Sequence, residues 1–287
     1  MKGEKRLLIH HHTLYTYGRE VFLNPQKILL SPSNRRHFHV HSIETEIFPT
    51  PLGSNQRLDM EGNLFQQIWF GEPTNRFEIN VHLDLTVSSL NPFEFIISKD
   101  FEKLGPNGEL TFHYSDEQKQ FLWPFLNHTD SPQINGLAKN IKQGSNGIVT
   151  YLVELTAHLH GMCDYIVREN PGIWPPEKTL SERQGSCRDL AWLLINMLRG
   201  EGIASRFVSG YAYNPELEEN HELHAWVEAF CPGAGWIGLD PSIGLLTDAY
   251  YIPLATSYLP QLTMPVVGTY SGNFSSHLKS YVEIKAL

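Results

Sequence analysis

The chain has 287 residues, 41% of them hydrophobic and 18% charged, a balance that supports a packed core and excludes disordered, collagen-like and coiled-coil classes. At ~100–200 residues per domain it makes one large domain or two ordinary ones. Its 22 Lys and Arg against 31 Asp and Glu leave a net charge of −9, and no long basic run gathers to neutralise phosphates, which argues against nucleic acid as a partner.

No stretch approaches the ~20 consecutive apolar residues of a membrane helix. The basic tip of MKGEKRLLIHHHTLYTY is followed by no sustained apolar segment or cleavage site, so neither membrane insertion nor export is expected, and the location expected is cytoplasmic. Cys163, Cys187 and Cys231 are too few and too scattered for a disulfide framework and form no C-x-x-C pair, which fits a reducing compartment.

From Leu7 to about Ser88 the runs LLIHHHTLYTY, KILLSP, FHVHSIETEIF, NLFQQIWF and FEINVHLDLTV are broken by turn residues at Asn24-Pro25, Ser31-Pro32, Pro51 to Asn55, Glu61-Gly62-Asn63 and Glu72-Pro73. Turn signals every ~8–12 residues predict an antiparallel β-sandwich-like domain, placed at residues 1–88. In FEINVHLDLTV, Phe77, Ile79, Val81, Leu83, Leu85 and Val87 share one face while Glu78, Asn80, His82, Asp84 and Thr86 share the other. Residues 89–115 lose the alternation and contain Asn91-Pro92 and Gly105-Pro106-Asn107-Gly108, the mark of a connecting segment holding a hairpin or extended run.

Residues 116–287 form the second unit. SDEQKQFLWPFL opens on a capping Ser or Asp, and GIVTYLVELTAHLHGMCDYIVREN predicts a long helix ending at Asn170-Pro171-Gly172, with Cys163 in mid-helix. A further helix is predicted from about Cys187 to Leu198, then strands in SRFVSGYAY, LHAWVEAF and GWIGLDP. Helices followed by strands give an α+β core. The tail, with Pro253, Pro260 and Pro265, mixes short extended pieces and loops.

In GSCRDLAWLLINMLRGEG, Gly185-Ser186 leads directly into Cys187, and Leu190, Leu193, Leu194, Met197 and Leu198 mark an apolar helix face. Cys187 therefore sits at a helix N-terminus, where unpaired N–H groups and the helix dipole favour a thiolate, the nucleophilic form. The competing assignment is a small residue packing the helix start. A thiol nucleophile needs a base and a group to orient it. His224 opens one strand-like run and Asp240 closes the next, so a hairpin turning at Pro232-Gly233-Ala234-Gly235 brings imidazole and carboxylate together. Taken singly, such a His is usually a surface hydrogen-bonding residue and an Asp before Pro a turn former; the trio together carries the information.

GSCRDLAWLLINMLRGEGIASRFVSGY followed by LHAWVEAFCPGAGWIGLDPSIGLL resembles the catalytic core of the bacterial transglutaminase-like superfamily, whose members include candidate cysteine proteases. LLIHHHTLYTY, the Leu58-Asp59 to Gly62-Asn63 stretch and FEINVHLDLTV resemble the N-terminal β domain that precedes this core in bacterial relatives, leaving about 90–145 weakly matched. The resemblance implies a papain-like thiol mechanism with Cys187 as nucleophile, His224 as base and Asp240 as orienter. A thioester would be resolved by water, giving hydrolysis of a peptide or amide bond, or by an amine, giving transglutaminase crosslinking. Hydrolysis of a peptide or protein substrate is the expectation; amine transfer and a non-catalytic peptide-binding module are the alternatives. The oxyanion would take the Cys187 backbone N–H and a second donor, for which Gln184 and Trp174 are candidates. The resembling pattern carries a His just before an Ile-Pro-Leu-Ala-like stretch, where this chain has Tyr251, a candidate substrate contact. No Asp/Asn/Glu loop of calcium-binding kind is found, and neither metal nor cofactor is expected.

Of His10, His11 and His12, strand geometry points His11 away from the other two, an N-terminal strand rather than a metal site. His37, His39 and His41 share a strand face and are read as its polar outer side. Glu216-Leu217-Glu218-Glu219-Asn220 is read as a solvated loop that precedes His224 and could line the entrance to the site, Cys231 as a residue before the Pro-Gly turn where a ligand or solvent could reach it, and Trp192 and Trp226 as packing residues.

Overall fold

The computed structural model describes residues 4–106, 108–168, 170–215, 223–272 and 274–287. Asn107 of the expected turn and the acidic stretch Glu216 to Asn220 lie outside them. Six strands open the chain: β1 (Lys5–Leu23), β2 (Gln26–Ile28), β3 (Phe38–Phe48), β4 (Gly53–Leu58), β5 (Leu64–Trp69) and β6 (Thr74–Val87). β6 keeps the alternation of its sequence, with Phe77, Ile79, Val81, Leu83, Leu85 and Val87 at most 2% exposed. It lies between β1 and β3, antiparallel to both, while β2, β5 and β4 belong to a second sheet. Leu7, Ile9, Ile28, Ile68 and Ile79 join one apolar cluster drawn from both sheets, each fully buried side chain contributing roughly 1.5–3 kcal/mol.

The connecting segment holds the antiparallel hairpin of β7 (Glu102–Leu104) and β8 (Leu110–Phe112). α1 (Asp116–Leu126) starts on a reciprocal cap: Ser115 Oγ accepts the Gln118 N–H at 3.2 Å and the Gln118 side chain accepts the Ser115 N–H at 3.0 Å. α2 (Pro132–Lys142), which apolar spacing did not single out, begins with Pro at its first position. α3 (Ile148–Met162) stops short of the end predicted at Asn170, because Cys163 is extended at φ −116°, ψ 130°. Cys163 is therefore the cap of this helix and not a mid-helix residue. The chain next forms β9 (Asp164–Tyr165), runs through α4 (Pro176–Glu182), and returns as β10 (Gln184–Gly185), parallel to β9, to launch α5 (Cys187–Gly200).

β11 (Ser205–Ala212), β12 (Leu223–Cys231), β13 (Gly235–Asp240), β14 (Leu245–Leu246) and β15 (Tyr251–Ser257) make the core sheet in the order β14-β13-β12-β11-β15. The three strands read from sequence are present, and β12 turns into β13 between Cys231 and Gly235 as expected. The architecture is α+β, with a sandwich-like β unit ahead of a mixed core.

The tail departs from expectation. After a short 3-10 turn at Pro260–Thr263, β16 (Val266–Val267) pairs with β2 and β17 (Tyr270–Ser271) with the end of β1. β18 (Ser276–Ala286) then runs antiparallel along β1 from Tyr17↔Ser276 to Leu7↔Ala286. Sequence placed these residues with the core; their hydrogen bonds place them with the first β unit.

The two units share a joint. Tyr211, Ile252 and Leu254 of the core sheet belong to the apolar cluster of the β unit. The Asn63 amide donates to the Thr256 carbonyl at 2.8 Å and accepts the Thr256 N–H at 2.8 Å, and Asp59 holds that amide from below at 3.0 Å. His37, expected on an outer strand face, precedes β3 and contacts the Tyr251 carbonyl at 3.0 Å.

Candidate active site

Cys187 is the first residue of α5 and is 9% exposed. The turn ahead of it is fixed by Asp189, which is fully buried and accepts the Ser186 N–H at 3.0 Å, the Ser186 hydroxyl at 2.6 Å and the Trp174 N–H at 2.8 Å. Arg168 completes the set with a two-pronged contact at 2.8 and 3.2 Å. Burial alone would raise the Asp189 pKa, but these donors hold it below the ordinary carboxylate range. Sequence reasoning passed over Asp189; the signal was present, since an acidic residue three positions after a Ser is a helix-capping pattern.

His224 begins β12 and Asp240 ends β13, and the hairpin brings His224 Nε2 to 2.7 Å from Asp240 Oδ2. Asp240 occupies one ring nitrogen, and Cys187 lines the same cavity as His224. Burial opposes a charge on His224, yet the Asp240 carboxylate and the nearby Cys187 thiol outweigh it and hold the imidazole well above its ordinary pKa. Burial likewise opposes the charge on Asp240, and His224, Ser242 and Tyr251 together keep it below the carboxylate range. Ser242 donates both its hydroxyl (2.6 Å) and its N–H (2.9 Å) to Asp240 Oδ1.

Tyr251, expected from sequence to touch substrate or the oxyanion, donates its hydroxyl to Asp240 Oδ2 at 2.6 Å and is committed there. Tyr251→Phe is expected to cost about 1.5–3 kcal/mol, as for a hydrogen bond to a charged group. It should also raise the pH at which His224 loses its proton, since the carboxylate charge is then shared with one donor fewer. Thermal denaturation and an NMR titration of His224 check the two effects.

The other oxyanion candidates make different contacts. The Gln184 amide donates to Glu182 at 3.2 Å. The Trp174 ring lies under the cations of Lys178 at 4.0 Å and Arg168 at 4.5 Å, so the indole is a packing plate.

The imidazole stacks against Trp226 with ring centroids 6.4 Å apart, and Tyr251 meets the same indole edge-on at 5.2 Å. Gly210, paired with His224 in β11, makes room for that indole: a Cβ there would stand 2.6 Å from the Trp226 ring and 2.3 Å from the Ile252 carbonyl oxygen. Gly210→Ala is expected to destabilise by about 1–3 kcal/mol, the usual cost of overpacking, and to displace His224 with Trp226; a denaturant melt read by tryptophan fluorescence checks it.

Two cavities flank the imidazole. One of about 330 Å³ reaches Cys187 and His224; another of about 620 Å³ is bounded by His224, Asp240, Ser242 and Asp248. Among the described residues no group of three or more His, Cys, Asp or Glu is placed to hold a metal ion, and no helix is long and apolar enough to cross a membrane. His11 points into the protein while His10 stacks on His82 and His12 bonds Glu78 at 2.9 Å.

Comparison with known proteins finds family models for both parts of the chain. The transglutaminase-like superfamily matches residues 135–241, and the bacterial transglutaminase-like N-terminal region matches residues 7–86. An uncharacterized protein of Mycobacterium tuberculosis is 24% identical over 269 residues, covering 88% of this chain and 83% of that one. The protein-glutamine gamma-glutamyltransferase of Pseudomonas aeruginosa is 37% identical over 67 residues, 21% of this chain and 10% of that one. A crystal structure of a candidate cysteine protease from Cytophaga hutchinsonii shares the fold with a TM-score of 0.72 at 19% identity, over 100% of this chain and 92% of that one. The chain belongs to the transglutaminase-like superfamily, with the bacterial transglutaminase-like N-terminal region ahead of its core.

Proposed function

We propose that the chain is a thiol acyl-transfer enzyme that hydrolyses a peptide or amide bond, with Cys187 as nucleophile, His224 as proton carrier and Asp240 as its orienter. The observation that carries this is an imidazole bonded at 2.7 Å to a buried carboxylate at the end of β13 and sharing a cavity with the thiol at the head of α5. In the first half-reaction the Cys187 sulfur bonds to the substrate carbonyl carbon, the C–N bond breaks, and the imidazolium gives its proton to the leaving amine. In the second, His224 takes a proton from water, hydroxide adds to the thioester carbon, and the thiolate leaves, restoring the imidazolium–thiolate pair. The Cys187 N–H is offered to the oxyanion. Water reaches the imidazole from the larger cavity.

A second reading, amine transfer, is favoured by the name of the Pseudomonas relative and by Asp248 in that cavity, a carboxylate able to meet an incoming amine. All three cysteines are free, which supports the cytoplasmic setting we assign. A peptidyl coumarin amide library, run with and without a primary amine, tests the function. Release of coumarin with free acid as product, lost in Cys187→Ala, is expected; an amide product with the amine would replace hydrolysis by transfer, and no acylation of Cys187 by any member would contradict both.

A further inference from the structure

The cavity of about 330 Å³ beside Cys187 lies between the two units of the chain. Phe207, Leu223 and Ile173 line it from the core, together with Met264 of the tail. The facing wall comes from the first β unit: His11, Thr13 and Tyr15 of β1 with Leu278 and Ser280 of β18. The strand that returns from the chain's end to pair with β1 thus builds one side of the space next to the nucleophile.

This space has a definite chemistry. Among the described residues no Asp or Glu lines it. His11, 1% exposed, is tied at Nδ1 to the Tyr211 hydroxyl (2.8 Å) and at Nε2 to the Thr13 hydroxyl (2.9 Å). Burial, with His10 and His12 beside it, pushes its pKa down to about 4, so this wall is neutral at ordinary pH. Besides the Cys187–His224 pair itself, the lining carries the charge of Arg188, whose guanidinium donates to the carbonyls of Asn170 (2.7 Å), Gly172 (2.9 Å) and Arg168 (3.0 Å). A Lys or Arg side chain entering here would be stripped of water with no carboxylate among the described lining residues to meet it. The volume is at the low end of the ~300–1,000 Å³ of small-ligand pockets, room for one side chain rather than a length of peptide.

We propose that this cavity is the acyl-donor pocket, that it takes the uncharged side chain of the residue whose carbonyl is attacked, and that the N-terminal β unit is thereby part of the specificity apparatus, a proposal that rests on the thiol acyl-transfer chemistry above. The test uses the full chain with 4-nitrophenyl esters of N-acetyl leucine, glutamine and lysine. In each the Cys187 thiolate bonds to the ester carbon, the C–O bond breaks, and nitrophenolate leaves with the electron pair. The burst of nitrophenolate and the mass of acylated protein are read, and each rate is divided by that ester's rate in buffer. The leucyl and glutaminyl esters are expected to acylate more than about tenfold faster than the lysyl ester, whose charge must be desolvated.

Leu278 is 57% exposed, so it can be changed without disturbing the core. Leu278→Asp places a carboxylate on the wall and is expected to raise the lysyl rate relative to the leucyl rate by about tenfold, the worth of ~1.4 kcal/mol; Leu278→Asn should not. Lysyl acylation as fast as leucyl, or an unchanged ratio in Leu278→Asp, overturns the pocket while Cys187 acylation itself persists. Absence of acylation by all three esters overturns the underlying chemistry, and the pocket with it.

Discussion

Replacing His224 by Ala is expected to slow acylation of Cys187 by roughly 10²–10⁴-fold, the range of a positioned general acid–base group. The loss should fall on kcat, because the imidazole acts on the thiol and the leaving amine and contributes little to holding substrate. The fold should persist, since Asp240 still accepts Tyr251 and Ser242. The pH dependence should change with it. A histidine whose folded pKa is raised stabilises the protein fully below the ordinary imidazole range and loses that contribution as pH rises through the raised value. Asp240, lowered, contributes above the ordinary carboxylate range and loses its share as pH falls through its folded value. Wild-type stability should therefore decline on the alkaline side, and His224→Ala should flatten that decline. Single-turnover kinetics and melts across pH measure both, and an Ala variant as fast as wild type would remove His224 from the chemistry.

The second large effect is structural. Asp189→Ala is expected to lower stability by about 3–5 kcal/mol, as when one partner of a buried ion pair is removed. The Arg168 side chain, 10% exposed, would keep its charge with no carboxylate beside it, and the N–H groups of Ser186 and Trp174 would lose their acceptor. Because Ser186 immediately precedes Cys187, the head of α5 should loosen as well, so activity should fall even at temperatures where the variant is folded. Denaturant melts alongside Cys187 labelling separate the two losses. A stability change within ~0.5 kcal/mol, that of an indifferent surface site, would contradict this role for the carboxylate.

How much of this was legible in the sequence depended on how local each signal is. β6 declares itself through a two-residue alternation from Phe77 to Val87, and the start of α5 through Gly185-Ser186 followed by an apolar helical face. The hairpin that joins His224 to Asp240 follows from one Pro-Gly turn between two strands. Cys163 was misplaced because the apolar spacing continues past Met162 while the backbone has already turned extended to form β9. The pairing of Leu7 with Ala286 leaves no local mark, since a strand's partner 279 residues away is chosen by packing of the whole sheet. The same holds for Asn63, whose two bonds to Thr256 form only once both units are in place. Tyr251 was singled out by its position, but its role as a donor to Asp240 emerges only from the geometry of β15 against β13.

The most direct test of the central claim is intact-mass labelling with a limiting dose of iodoacetamide, from mildly acid to alkaline pH, on the wild type, Cys187→Ala and His224→Ala. Burial, with Asp164 beside it, pushes the Cys163 thiol up to about 11, and burial, with Glu102 nearby, pushes Cys231 up to about 12, so neither competes near neutrality. One fast adduct that disappears in Cys187→Ala and slows at neutral pH in His224→Ala is the predicted result. Slow labelling shared among the three cysteines would contradict it.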